Sequence, residues 1–327
     1  MARSERFGET QDVAITILVD NRADLLVRST ETVKYAGVSL LAEHGFSALV
    51  DLKAQGLRIL WDAGGSAVAL PHNMQRLEID PRTIDKIALS HGHHDHTGAM
   101  AAMLRAICPA PATREWPPAA TMEEIERGAA GRRVPLVAHP AAFRERWHIR
   151  QDGTRVGPTL PPPGAEWRAL GADIVLTDEP VELAAGCWTT GYVPRRSFER
   201  SGRSATRYYR QDDAFLRDDI EDDQAIVINV RGKGLVVLAG CAHAGIVSTV
   251  HYAREISGVE RVWAILGGFH LASAEGGELQ RTVDEIAALR PALIVPTHCT
   301  GLAAMCAFAA QMPQAFAAGV AGGTYLF

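Results

Sequence analysis

Nine consecutive residues, Ser90-His91-Gly92-His93-His94-Asp95-His96-Thr97-Gly98, gather four histidines and one carboxylate. Imidazole and carboxylate are the donors that borderline cations such as zinc, iron or manganese accept. Alternate residues of an extended or turning segment point the same way. His91 and His93 are therefore expected to serve one cation, while Asp95 and His96 turn toward a second. His94 falls on the opposite side and is not read as a ligand. Gly92 lets the backbone bend tightly and leaves room for the cations. A solvated His-rich loop is the plain alternative, but this cluster sits between an apolar strand-like run and a helix-like run, where a functional loop is positioned rather than left free.

One loop cannot complete two coordination shells, since each cation takes roughly four donors or more. Three further histidines follow short apolar runs and have small neighbours: His243 in Gly240-Cys241-Ala242-His243, His270 in Gly267-Gly268-Phe269-His270, and His298 in Thr297-His298-Cys299. His243 and His298 are read as ligands. His270 is a ligand or a pocket residue. So is Cys241, where a thiolate can bind zinc but a buried inert thiol fits as well. Glu43 and His44 are candidate substrate-binding pocket-wall or supporting residues, with a structural role as the alternative. Arg195, Arg196, Arg203, Arg207 and Arg210 could contact a phosphate or carboxylate, with Arg195 taken as the substrate-binding candidate and a solvated surface as the alternative. Tyr192, Tyr208 and Tyr209 could stack on an aromatic ring or pack in the core. The remaining histidines, His72, His139, His148 and His251, are read as structural, His139 also as a possible lining residue.

The elements that must hold these residues are legible as alternating patterns. Val13 to Asp20 reads as a buried strand; Ser47 to Leu52 and Leu57 to Asp62 read as a hairpin; Ile87 to Ser90 and Val134 to Ala138 read as strands. Val68 to Leu77 and Gly98 to Cys108 have helical spacing. In the second half, Ala225 to Val230 and Leu235 to Ala239 form a hairpin around Gly232-Lys233-Gly234, and Val262 to Leu266 and Ala292 to Pro296 read as strands. Thr249 to Ser257, Gly277 to Leu289 and Leu302 to Gln311 read as helices. A hairpin followed by alternating strand and helix occurs twice, which predicts an α/β fold of four layers, an αββα sandwich. Residues 109–132 read as a surface excursion, and about 144–218 as a long irregular insertion or lid within a single domain spanning 1–327.

The chain has 327 residues, 47% hydrophobic and 22% charged, with a net charge of -5. That composition suits a globular protein with a large core and argues against a nucleic-acid or anionic-membrane surface. No stretch has signal-peptide or membrane-span character. Five cysteines without a CxxC pair suggest reduced thiols and a cytoplasmic location. The partner expected is a small-molecule substrate, with self-association into a homo-oligomer left open.

The histidine loop matches the HxHxDH signature, and the chain resembles the metallo-β-lactamase superfamily. More narrowly it is similar to the branch of 7,8-dihydropterin-6-methyl-4-(β-D-ribofuranosyl)aminobenzene-5′-phosphate synthases. Val19-Asp20-Asn21, Glu43 to Ser47, Ile59 to Gly64, Ser90 to Gly98, Gly240 to Ile246, Gly267 to Leu271 and Thr297 to Gly301 carry that resemblance. It implies the metallo-β-lactamase sandwich and a dinuclear centre, zinc by default with manganese or iron compatible. It places His91, His93 and a later histidine on one ion, and Asp95, His96 and His298 on the other. Many members bridge the ions with an aspartate after a glycine; here Cys241 follows Gly240. The activity expected is hydrolysis or group transfer by a metal-activated nucleophile, with Asp95 as the catalytic proton relay, on a phosphorylated or pterin-like molecule. A mononuclear iron thiol dioxygenase and a non-catalytic small-molecule sensor are the alternatives.

Overall fold

The computed structural model describes residues 6–110, 115–129 and 131–327. Alternation decides which way each strand faces. In β1 (Val13–Val19), Val13, Ile15 and Ile17 turn to one side and Leu18 joins a different cluster on the other. β1 lies in an eight-stranded sheet ordered β2 (Val33–Tyr35), β18 (Gly323–Leu326), β1, β3 (Ser47–Leu52), β4 (Leu57–Trp61), β5 (Lys86–Ala88), β6 (Val134–Ala138) and β9 (Ala172–Leu176). A six-stranded sheet runs β10 (Val181–Ala184), β11 (Cys187–Thr189), β14 (Ala225–Val230), β15 (Gly234–Ala239), β16 (Val262–Gly268) and β17 (Leu293–Thr297).

The two sheets share a core in which Ile15, Ile17, Val50 and Trp61 meet Ile226, Ile228, Val236 and Leu238. The outer faces are covered by helices. Helix Met100–Ile107 buries Met100, Met103, Leu104 and Ile107, the i, i+3, i+4, i+7 stripe of an amphipathic helix. Helix Ile246–Ser257 covers the second sheet through Ile246, Val250 and Ala253, and stops at Gly258, whose positive φ allows its N–H to bond Arg254. This is the αββα sandwich the patterns predict.

Two features position the site. The strands β4, β5, β6 and β9 run parallel to one another, and so do β15, β16 and β17. Their carboxyl ends gather at one edge of the sandwich, where open α/β sheets bind ligands. Next to that edge, β13 (Ala214–Arg217), β12 (Arg207–Gln211), β7 (Arg146–Ile149) and β8 (Arg155–Thr159) form a third, four-stranded sheet.

The irregular stretch expected over 144–218 is thus threaded through all three sheets. β9 extends the first, β10 and β11 open the second, and only β7, β8, β12 and β13 stand apart. These strands hid because they are short and mostly exposed, so they lack apolar alternation; every residue of β8 faces solvent. β2 and β18 were missed because their pairing joins segments at opposite ends of the chain. Of the expected surface excursion, 111–114 and 130 lie outside the described residues, and Met122–Ala129 is helical. Among the described residues, no helix is long and apolar enough to cross a membrane.

Candidate metal centre

Each candidate ligand stands just beyond a strand end: His91 after β5, His243 after β15, His270 after β16 and His298 after β17. Adjacency of these strands in the sheets brings sequence-distant imidazoles together. His91 Nε2 lies 2.8 Å from His93 Nδ1. The inward atoms of His91, His93 and His243 all lie within 4.8 Å of one another, as do those of Asp95, His96, Cys241 and His298. A third group, Cys241, His243 and His270, satisfies the same limit and joins the other two. Asp95 Oδ2 is 3.3 Å from His298 Nε2 and 3.6 Å from His96 Nε2, while Cys241 Sγ is 3.1 Å from His96 Nε2.

The donor set fits divalent cations. His243 Nε2 and His270 Nδ1 are buried with no hydrogen-bond partner, and His298 Nε2 makes no well-aligned hydrogen bond, facing the Asp95 carboxylate at 3.3 Å. An orphaned buried polar atom costs about 1–3 kcal/mol, so clustering such atoms at one point is stable only where something else satisfies them. Burial, followed by the neighbouring histidines, pushes the His91 imidazole well below its usual pKa. Burial together with neighbouring cationic groups does the same for His93 and His243. Neutral imidazole is the form that binds metals. Burial works against the Asp95 carboxylate, yet His96, His298 and His91 outweigh it and hold the group below the usual carboxylate range. Burial opposes charge on His96 as well, but Asp95 and Asp62 lift it to about 9. Burial raises the Cys241 thiol.

Outer groups orient these ligands, as metal sites require. Asp62, fully buried after β4, accepts from His96 Nδ1 at 2.7 Å, from Ser90 N at 2.7 Å and from Ser90 Oγ at 2.6 Å. Ser90 Oγ is also 2.9 Å from His91 Nδ1. Asn21 Oδ1 lies 2.9 Å from His298 Nδ1, and the Asp20 carboxylate accepts the His298 backbone N–H. Gly202 O lies 3.2 Å from His243 Nδ1. Gly92 N donates to Asp222 Oδ2 at 2.7 Å, and a Cβ at 92 would collide with the Ala142 carbonyl. The glycine is needed for that close backbone approach; the space its missing side chain leaves is filled by protein rather than by the cations.

Above the ligands lies a cavity of about 570 Å³. His44 lines it and stands 3.5 Å from Asp95 Oδ2. His94 is exposed at the rim and belongs to none of the ligand groups. Two sequence expectations are corrected. Glu43 does not reach the cavity: its carboxylate accepts from Gly65 N, Ser66 N and Ser66 Oγ and pins that turn. Arg195 does not reach it either: its guanidinium donates to the backbone carbonyls of His243 and Asp219, so it fastens a ligand segment from behind. Tyr192, Tyr208 and Tyr209 do not line the cavity, and Tyr209 stacks under Arg144. Sequence reasoning passed over Asp62 as an orienting group, Cys299 and Trp167 as lining residues, and Arg146, which is held between Asp218 at 2.8 Å and Asp222 at 2.7 Å. Cys299, adjacent to His298, is the one a strand-end rule could have found.

Fold and ligand geometry together define a class, and the metallo-beta-lactamase superfamily model matches residues 42–256. The chain belongs to that superfamily. It is 30% identical over 289 residues, covering 86% of this chain and 90% of the other, to a 7,8-dihydropterin-6-methyl-4-(β-D-ribofuranosyl)aminobenzene-5′-phosphate synthase of Methanocaldococcus jannaschii. It is 29% identical over 293 residues, covering 89% and 92%, to the uncharacterised protein MJ0448 of the same organism. Among solved structures, Tm1679, a metal-dependent hydrolase of the beta-lactamase superfamily, aligns with a TM-score of 0.71 at 21% identity over 95% and 98% of the two chains. The metallo-beta-lactamase fold protein YhfI of Bacillus subtilis aligns at 0.52 and 14% identity over 97% and 100%. These two likenesses show a common fold. Family membership and the ligand clusters support a metal-dependent enzyme.

Proposed function

We propose that this chain is a metal-dependent hydrolase or group transferase acting on an anionic small molecule, with two divalent cations, zinc by default, held by His91, His93 and His243 and by Asp95, His96 and His298. The observation that carries the reading is the convergence of the candidate ligand groups, with the buried His243 Nε2 and His270 Nδ1 left unpartnered, on the floor of one cavity. When bound, such cations supply Lewis acidity and lower the pKa of a water or alcohol nucleophile toward neutrality.

The chain's own residues do the rest. Asp95, kept ionised by its histidine neighbours, accepts the proton that the nucleophile gives up. His44, beside Asp95, carries that proton toward solvent. Trp167 and Pro161 to Pro163 exclude water from one side of the cavity. Arg144, Arg146 and Arg207 face the cavity, against Asp95 as the sole carboxylate among the described residues of its lining, so the site favours negative charge in a protein whose net charge is -5. The name of the 30% identical relative, a synthase for a phosphorylated pterin-bearing compound, supports transfer and a phosphorylated aromatic substrate.

The test combines metal analysis with turnover. Protein loaded with zinc, manganese or iron is assayed against phosphodiesters, lactones and a dihydropterin donor with an aminobenzene ribofuranosyl phosphate acceptor. Two equivalents of metal with turnover are expected, and His93→Ala should lose metal and activity with the fold kept. One equivalent of iron with oxygen uptake would favour the dioxygenase reading, and bound metal without turnover the sensor reading.

A further inference from the structure

We infer that Arg207 is the anion anchor of this cavity, tied to His93 in one state and freed for a phosphate or carboxylate of the substrate when a cation occupies that ring's inward nitrogen. The inference rests on the metal-dependent reading above.

Three arginines line the cavity, and two are satisfied by protein. Arg146 bridges Asp218 and Asp222. Arg144 pairs with Glu221 at 2.6 Å and lies 4.1 Å over the Tyr209 ring. Arg207, at the start of β12 and in register with His148 of β7, has no ion pair to any described carboxylate. The side-chain hydrogen bond found for its guanidinium runs from Nη1 to His93 Nε2, at 3.0 Å.

That contact and a cation on His93 exclude each other. The inward atom of His93 is Nδ1, the one facing His91 Nε2. A neutral imidazole ligated through Nδ1 carries its proton on Nε2 and becomes a donor there. A guanidinium donates only, so the two groups would then point N–H at N–H. Arg207 must turn from the ring toward an acceptor. Among the described residues of the lining the sole carboxylate is Asp95, already set among His96 and His298, while Asp218 and Asp222, which also attract Arg207, are already paired with Arg146. The acceptor must therefore come with the ligand. A planar fork of donors matches two oxygens of a phosphate or a carboxylate, and a neutral group would leave most of it unsatisfied.

Isothermal calorimetry on the zinc-loaded full chain tests this with three probes: phenyl phosphate, benzoate and phenol. Wild type is expected to bind at least one anion and to bind phenol far more weakly. Arg207→Gln should weaken that anion about 10-fold or more, the loss expected on removing a charge-assisted hydrogen bond, with zinc content unchanged. Whichever anion loses affinity identifies the group recognised. Arg207→Lys, which keeps the charge but not the fork, should lose several-fold and serves if the glutamine variant does not fold. Chelator competition reads the other half: Arg207→Gln should take up zinc more tightly than wild type, because nothing competes for His93. Anion affinity unchanged in both variants, a zinc-loaded wild type that binds neither anion, or weaker zinc uptake by Arg207→Gln would each overturn the inference. A wild-type chain that takes up no metal would instead sink the reading beneath it.

Discussion

The strand ends that carry the candidate ligands and the four-stranded sheet beside them are built on opposite terms. His243 and His298 follow parallel strands whose side chains are almost wholly buried on both faces. Their positions are fixed by the same apolar packing that holds the sandwich together. The smaller sheet buries little; β8 and most of β13 face solvent. It is held to the rest by charge: Arg146, with a side chain only 7% exposed, meets two fully buried aspartates, and one of these, Asp222, also accepts the Gly92 amide. A catalytic constellation tolerates small errors poorly, so it belongs on rigid elements, while the surface that selects a substrate can be a separable platform.

Arg146→Ala puts the largest strain on that contrast. Removing one member of a buried ion cluster strands the others, at about 3–5 kcal/mol. The melting temperature should fall clearly, and the His93-bearing loop should loosen with it through Asp222 and Gly92. A denaturant titration showing a loss below about 1 kcal/mol would mean that charge is not what joins platform to sandwich.

Asp62→Asn probes the rigid side instead. The amide would present a donor either to the Ser90 backbone N–H or to His96 Nδ1, so the ring would lose its orientation. Metal affinity is expected to drop about 10- to 100-fold with little change in stability, read by competition with a chelator. An unchanged affinity would remove Asp62 from the site's supporting groups.

The smallest effect concerns the junction between the loop ahead of β12 and the helix that follows His243. Glu199 is 5% exposed; its Oε2 accepts from Ser197 Oγ at 2.7 Å and from Val247 N at 3.0 Å, beside the amino end of helix Ile246–Ser257. Burial raises its pKa from 4.5 to about 7 against the pull of those hydrogen bonds. The folded chain therefore holds this proton more tightly than the unfolded chain. The resulting stabilisation is complete below pH 4.5 and disappears as pH rises through about 7. Glu199→Gln should flatten stability across that window, as followed by thermal unfolding at stepped pH. If the slope survives the substitution, another group sets it.

The sequence disclosed the sandwich because its core strands, such as VAITILV and AIVINV, are continuous apolar runs. It marked the candidate ligands His91, His243, His270 and His298 because each stands just after such a run. It could not disclose what depends on distant pairing. Nothing local marks Thr324 to Leu326 as the partner of Ala14 to Thr16, and nothing in Arg146 announces Asp218 and Asp222 more than seventy residues on. Arg195 and Arg207 looked alike in sequence, two arginines in one charged stretch; only the turn of the chain sends one guanidinium to backbone carbonyls and the other into the cavity.

That same stretch serves two masters. Arg195 and Gly202 clasp His243 from outside, and a few residues later Arg207 leans on His93 from the cavity side. The intervening chain has little slack, since a Cβ on Gly202 would already strike the His243 carbonyl. Lengthening it would disturb the seat of a candidate metal ligand, His243, and the Arg207 contact to His93 at once. Room for variation lies away from the cavity, past Gln211, where Asp212 and Asp213 turn the hairpin in open solvent. An insertion there would lengthen the hairpin and leave the clasp on His243 untouched.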